Sequence, residues 1–283
     1  MRSWTRSTPD RLHFFRVFQR PARRPIVLKR RQMIASLQQA ERLEVRVKQI
    51  AILVAICLLP VPLRPQEHSP TTRTSANPQA SGEVPLGERL AREYEKQAGL
   101  GSTPELDGIS RYISSVGSKV ASVLPSGLQF HFVFDPNPDF KSAFALPGGY
   151  IIVGGGLLAI AQTEDELANA LAHEIEHVEL GQVSGRVSEL RKQKEIKNLE
   201  LSEFLPGYTK EEELACDLNG QQLAAKAGYS PAGMLTLLET FKALRKGEPE
   251  EPSEKHPSLA ERIAQAEPLA KASPQNQKPL RIP

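Results

Sequence analysis

Two histidines four residues apart, His173 and His177, with Glu174 directly after the first, lie in LANALAHEIEHVELG, residues 167 to 181. On a helix, positions i and i+4 sit one above the other, so both imidazoles point at one place in space. That is half of a tetrahedral zinc site. Glu174 lies about 100° further round the helix, so it flanks such a metal without ligating it and can take a proton from a metal-bound water. The chemistry this spacing permits is hydrolysis, with the ion acidifying the water and polarising the carbonyl under attack. The competing reading of HEIEH is a charged surface segment. The context speaks against it, because Leu167, Leu171, Ile175 and Val178 form an apolar stripe that buries one side of the helix.

A third ligand must come from elsewhere. After His177 the chain reads VELGQVS, without the glycine and third histidine of an H-x-x-G-x-x-H continuation. A glutamate from a later helix would complete a His2Glu set with one position left for water, and EEELACDLNG offers Glu211, Glu212 and Glu213. For Glu211 and Glu212 a solvated helix face is the simpler reading. Asp217, one turn after Glu213, can orient a ligand histidine through its carboxylate.

These residues need elements to hold them. Thr163 and Glu166 have capping-box spacing and open the helix that carries HEIEH, and Gly181 closes it. Before it, LGERLAREYEKQAGL and DGISRYISSVGSKVASVL read as helices, the second with Ile109, Ile113, Val116 and Val120 on one stripe. LQFHFVFDPNP alternates Leu128, Phe130, Phe132 and Phe134 on one face, a half-buried strand in which His131 is structural. SAFALPGGYIIVGGG reads as a strand pair turning at Pro147-Gly148-Gly149. Residues 184 to 204 are charged and weakly amphipathic, a solvated or lid-like helix. Further helices are expected from about Lys210 to Lys226, from Ser230-Pro231 onward, and through HPSLAERIAQAE. The tail, 271 to 283, reads as disordered. The sum is one α+β domain over 86 to 270, with no internal repeat.

The 283 residues and 40% hydrophobic content allow a sizeable core. Charge is uneven. Residues 1 to 64 hold 14 Lys and Arg against 3 Asp and Glu, which leaves 22 of the 36 basic and 30 of the 33 acidic residues for the rest. The body is thus about −8 while the chain is +3, and its basic balance carries no argument for nucleic acid. QIAILVAICLLPVPL, 49 to 63, is too short for a comfortable bilayer span and right for a signal-peptide core, so 1–32 reads as a basic extension and 33–63 as a signal peptide or membrane anchor. Membrane association, if any, runs through residues 50–63. An Arg-rich, acid-poor leader also fits a mitochondrial presequence. Residues 64–85, rich in Pro, Ser and Thr, form a linker. Cys57 and Cys216 are the only cysteines, so the body can form no internal disulfide.

Three stretches carry a family resemblance: AFALPGGYIIVGGGLLAIAQTEDELANALAHEIEHV, ELACDLNGQQLAAKAGYSP and HPSLAERI. They resemble the zinc metallopeptidases of the CAAX prenyl endopeptidase and heat-shock-protease-X type, metallopeptidase family forty-eight, in its soluble exported branch. The resemblance implies a zincin-like (gluzincin) fold, mostly helical with a small mixed sheet. It implies one zinc ion held by His173, His177 and Glu213, with Glu174 as general base and Asp217 as support. It also implies that the strand through Ala143, Phe144 and Ala145, or the one through Tyr150, is an edge that binds an extended peptide. His256 would stabilise the oxyanion or approach the zinc, or else pack structurally. Glu176, Ser142 and Cys216 depart from the pattern, which has a small residue, Asn and Ala in those places. The expected activity is a zinc endopeptidase acting on unfolded or misassembled proteins of the envelope, periplasmic or anchored facing the periplasm, with the mitochondrial inner membrane as the alternative location. The alternative function is a catalytically weak, chaperone-like or scaffold module that keeps the zinc site.

Overall fold

The computed structural model describes residues 82–205, 207–247, 256–273 and 278–282. The expected basic extension, export segment and nearly all of the linker lie outside them. Eight helices and three strands follow among the described residues: α1 (Glu83–Ala98), α2 (Pro104–Ala121), β1 (His131–Asp135), β2 (Ala143–Leu146), β3 (Tyr150–Gly154), α3 (Gly155–Ile160), α4 (Glu164–Glu179), α5 (Gln182–Arg191), α6 (Lys210–Lys226), α7 (Ala232–Leu244) and α8 (Leu259–Lys271). This is the α+β, zincin-like arrangement expected, mostly helical with a small mixed sheet.

The strands run in the order β1-β3-β2, with β1 parallel and β2 antiparallel to β3. Gly148 and Gly149, at φ 70° and 88°, make the turn between β2 and β3 in a region that side chains rarely enter. β3 is central and buried on both faces. Ile151 and Val153 join the main core, with Leu167, Leu171 and Ile175 of α4 and Ile113 and Val116 of α2. Ile152 faces a second cluster formed by Leu86 and Leu90 of α1 with Leu199, Leu201 and Phe204. A third cluster, Met234, Leu238 and Ala266, joins α7 to α8. α4 packs against α2, α6, α7 and β2, so the helix with the histidines is the hub of the fold.

Four expectations are corrected. The linker ends sooner than residue 85, because α1 starts at Glu83, whose buried carboxylate accepts from the Ser184 hydroxyl at 2.8 Å. Residues 184 to 204 are not one solvated helix: α5 ends at Arg191, two short 3-10 turns follow, and Leu199, Leu201 and Phe204 are buried against α1. Their spacing has no helical period because they anchor turns. The tail is not wholly loose either. The Lys278 amide donates to the buried Asp165 carboxylate, the Glu164 amide donates to the Lys278 carbonyl at 2.9 Å, and Leu280 packs on the main core. A polar stretch is held here because a buried carboxylate needs donors. Tyr150, finally, lies on the central strand, hydrogen-bonded on both sides, so it belongs to no free edge. Among the described residues, no helix is long and apolar enough to cross a membrane.

Candidate metal centre

α4 begins where the capping pair predicts: the Thr163 hydroxyl accepts from the Glu166 amide at 3.2 Å, and the Glu166 carboxylate accepts from the Gln162 amide. Its last two turns carry His173, Glu174 and His177 against α6. α6 opens on a complete capping box between Thr209 and Glu212, which accounts for Glu212 and brings Glu213 round to face the histidines. Glu211 is exposed. The approach of the two helices is close, since a Cβ on Gly220 would sit 2.9 Å from the His173 backbone nitrogen.

His173, His177 and Glu213 offer ligand atoms that all lie within 4.8 Å of one another, the one such grouping of three among the described residues. The two Nε2 atoms are 3.1 Å apart, and the Glu213 oxygens stand 3.4 Å from His173 Nε2 and 3.9 Å from His177 Nε2. A tetrahedral zinc with bonds of about 2.0–2.1 Å holds its donors about 3.3–3.4 Å apart, so the residues fit the ion. Each imidazole is also turned correctly. His173 Nδ1 donates to Asp217 Oδ1 at 2.9 Å and His177 Nδ1 donates to Gln182 Oε1 at 2.5 Å, which leaves both Nε2 lone pairs facing inward. Arg262 fixes Asp217 from behind through Nε at 2.7 Å and Nη2 at 2.6 Å. Tyr208 stacks on His177 with ring centres 4.0 Å apart, and Arg186 lies 4.3 Å from the Tyr208 ring centre.

Three inward-facing acceptors repel one another unless a proton or cation is shared. The protein groups by themselves share a proton. Burial opposes charge on His173, but its bonds to Asp217 and Glu213 outweigh it and raise its pKa to about 10. Burial and the neighbouring His173 push His177 down to about 3. Glu213 falls to about 2 despite burial, through its hydrogen bond to His173. A divalent ion would replace that proton with a larger charge. Glu174, nearly buried in the same cleft, is pushed up to about 7 by burial, against the opposing pull of His173 and of the Ala145 amide that hydrogen-bonds its carboxylate.

The cleft holds about 260 Å³ and is lined by the histidines, Glu174, Glu213 and Arg262 on one side and by Ala143, Phe144 and Ala145 on another. β2 is an edge strand. Since the Ser142 carbonyl bonds inward to Gly154, the backbone groups of Ala143 and Ala145 face outward to the cleft. His256 is exposed beside Gly207 and is not among the cleft-lining residues. Cys216 is a free, buried thiol 3.3 Å from His177 Nδ1. Arg262, Gln182, Tyr208 and Gly220 are the parts of the site that sequence reasoning passed over. HPSLAERI contained the signal for Arg262, whereas Gln182 follows a helix break, where no spacing rule reaches.

Residues 110–199 match the model of Peptidase family M48, a span that includes His173, Glu174 and His177; Glu213 and Asp217 lie beyond it and stand on geometry. The chain is 27% identical over 212 residues to the Beta-barrel assembly-enhancing protease of Escherichia coli strain K12, covering 65% of this chain and 43% of that protein. It is 28% identical over 198 residues to the Mitochondrial metalloendopeptidase OMA1 of Schizosaccharomyces pombe, covering 62% and 57%. Over 116 residues it is 34% identical to the Beta-barrel assembly-enhancing protease of Yersinia pestis, covering 40% and 23%. The chain spans about half the length, or less, of these relatives. The family match covers the helix on which the site is built, and the longer alignments are with proteins named as proteases, so over residues 110–199 the chain is similar to Peptidase family M48.

Proposed function

We propose that the protein is a zinc-dependent endopeptidase that hydrolyses peptide bonds of unfolded or misassembled proteins. The observation that carries this reading is the convergence of His173, His177 and Glu213 beside Glu174, in a cleft that also exposes a strand edge. His173, His177 and Glu213 would hold one zinc ion, which when bound supplies Lewis acidity toward water and a carbonyl. Asp217 and Gln182 keep the two imidazoles aimed, and Arg262 keeps Asp217 charged. Glu174 takes the proton of the attacking water and passes it to the departing amine, a role suited to a carboxylate whose pKa stands near neutrality. The outward Ala143 amide and Ala145 carbonyl, with Phe144 between them, would pair with a peptide laid along β2. A relative named for enhancing β-barrel assembly and one named mitochondrial support a role in envelope protein quality control. With the apolar run at 50–59, they favour export to the periplasm or anchoring facing it, with the mitochondrial inner membrane as the alternative.

The test is zinc content and casein cleavage by the full chain beside Glu174→Gln and Glu213→Ala. Glu174→Gln should keep zinc and lose about 10²- to 10⁴-fold in rate, and Glu213→Ala should lose zinc. A wild-type chain without zinc would overturn the proposal, and so would equal cleavage by Glu174→Gln. Zinc bound with no cleavage by any variant would favour a binding module.

A further inference from the structure

Gln182 and Arg186 stand four residues apart at the start of α5 and share one face of it, turned toward the opening of α6. Gln182 acts on His177 directly: its side-chain oxygen accepts from Nδ1, while its amide donates to the Glu212 carbonyl at 3.4 Å. That bond holds the imidazole within its own plane. The tilt of the plane is set elsewhere. Tyr208 lies on the ring face of His177, with centres 4.0 Å apart and planes 19° from parallel. Arg186 lies on the Tyr208 ring in turn, 4.3 Å from its centre, and its two Nη groups donate to the Phe204 carbonyl at 3.4 Å and the Gly207 carbonyl at 3.1 Å. One ring face has room for one such neighbour at these distances, so guanidinium and imidazole flank the phenol in a stack three deep.

The stack also reaches the third acceptor. Tyr208 directly precedes Thr209, whose capping box opens α6 and brings Glu213 round to the histidines. The chain that Arg186 grips therefore runs straight into the helix of Glu213. A guanidinium suits this place because it is always charged, planar and forked, so it can serve two carbonyls while lying flat on a ring. A lysine has the charge without the fork. We infer that Arg186 is a positioning residue of the metal centre: it holds Tyr208 flat against His177 and so fixes the tilt at which Nε2 meets the ion. The inference rests on the zinc reading and adds a residue that touches neither the ion nor a substrate. A cation–π pair is worth about 3- to 30-fold in an equilibrium constant, which is the loss of zinc affinity expected when the stack is broken.

The test is zinc affinity of the full chain by chelator competition, with the visible absorption of the cobalt(II)-loaded protein as a signature of ligand geometry. Arg186→Met keeps much of the apolar stem and removes the fork, Tyr208→Leu removes the ring, and Tyr208→Phe keeps it. The first two should each weaken zinc binding about 3- to 30-fold and shift the cobalt spectrum, and Tyr208→Phe should do neither. The double variant Arg186→Met, Tyr208→Leu should bind zinc no more weakly than Tyr208→Leu alone, since Arg186 acts through the ring. Additive losses overturn the inference, and so does a loss in Tyr208→Phe as large as in Tyr208→Leu. A lower melting temperature for Arg186→Met, with affinity and spectrum unmoved, overturns it too and leaves Arg186 a structural role. If Arg186→Met fails to fold, Arg186→Lys decides by the same two readouts. Casein cleavage keeps the peptidase reading separate. A wild type that binds zinc and cleaves nothing, with the coupling between Arg186 and Tyr208 intact, overturns that reading and leaves Arg186 in its place. Cleavage lost in Glu174→Gln, with zinc affinity unmoved by Arg186→Met, does the reverse.

Discussion

The two histidines are held from behind by different acceptors, a buried carboxylate for His173 and a neutral amide oxygen for His177. Charged acceptors form the stronger hydrogen bonds, so the two supports should differ in weight. Asp217→Asn is expected to weaken zinc binding about 10- to 100-fold and Gln182→Ala by less, measured by chelator competition. A larger loss for Gln182→Ala would reverse that ranking. Acid reports on the same carboxylate. Burial works to raise the Asp217 pKa, but Arg262 and His173 overcome it and lower it from 3.8 to about 2. A depressed carboxyl contributes stability above its unfolded value that is lost as pH falls through its folded value. In zinc-free protein, the stability difference between wild type and Asp217→Asn should therefore shrink as pH falls from 3.8 to about 2. Urea titrations showing a constant difference over that range would refute it.

Between α4 and α6 the spacing depends on one absent side chain. A Cβ at Gly220 would meet His173 N at 2.9 Å and His173 Cα at 3.1 Å, both backbone atoms of the neighbouring helix. Gly220→Ala should thus lower stability by about 1–3 kcal/mol and weaken zinc binding together, because the strain is relieved only by moving Glu213 away from the histidines. Denaturant melts with an unchanged midpoint would argue that α6 shifts freely. These two helices were legible in the sequence: α4 from the Thr163 cap and the i, i+4 histidines, which act within one or two turns, and α6 as a helix from about Lys210 to Lys226. α3 was not, since Gly155–Ile160 is six residues of small and aliphatic type that continue the apolar run of β3 without a cap. The anchoring of Leu199, Leu201 and Phe204 was hidden for a similar reason. Their partners on α1 are more than 100 residues away, and nothing in their own spacing announces them. Gln182 needed three dimensions, because it supports His177 across a helix break, whereas HPSLAERI carried Arg262 without showing that it would meet Asp217.

At the level of the molecule, the C-terminal segment is tied to the start of α4. The Lys278 amide bonds the buried Asp165 carboxylate, which the Ser230 amide also serves at 2.6 Å, and Pro279 bridges Thr163. Removing residues 278–283 leaves Asp165 short of one donor, at a cost of about 1–3 kcal/mol, and should lower the melting temperature by several degrees with zinc content unchanged. Calorimetry showing no change would mean that water replaces the segment without loss. β2, meanwhile, has only four residues, Ala143–Leu146, about 13 Å of edge. A protein can use that edge only where its own chain is pulled out straight over a similar length. If the proposed peptidase activity holds, the step that governs turnover of a folded client is the client's own local opening, and each additional 1.4 kcal/mol of opening free energy slows cleavage about tenfold. On the proposed peptidase reading, the rate constant becomes a readout of the client's stability, so clients are sorted by how often they open.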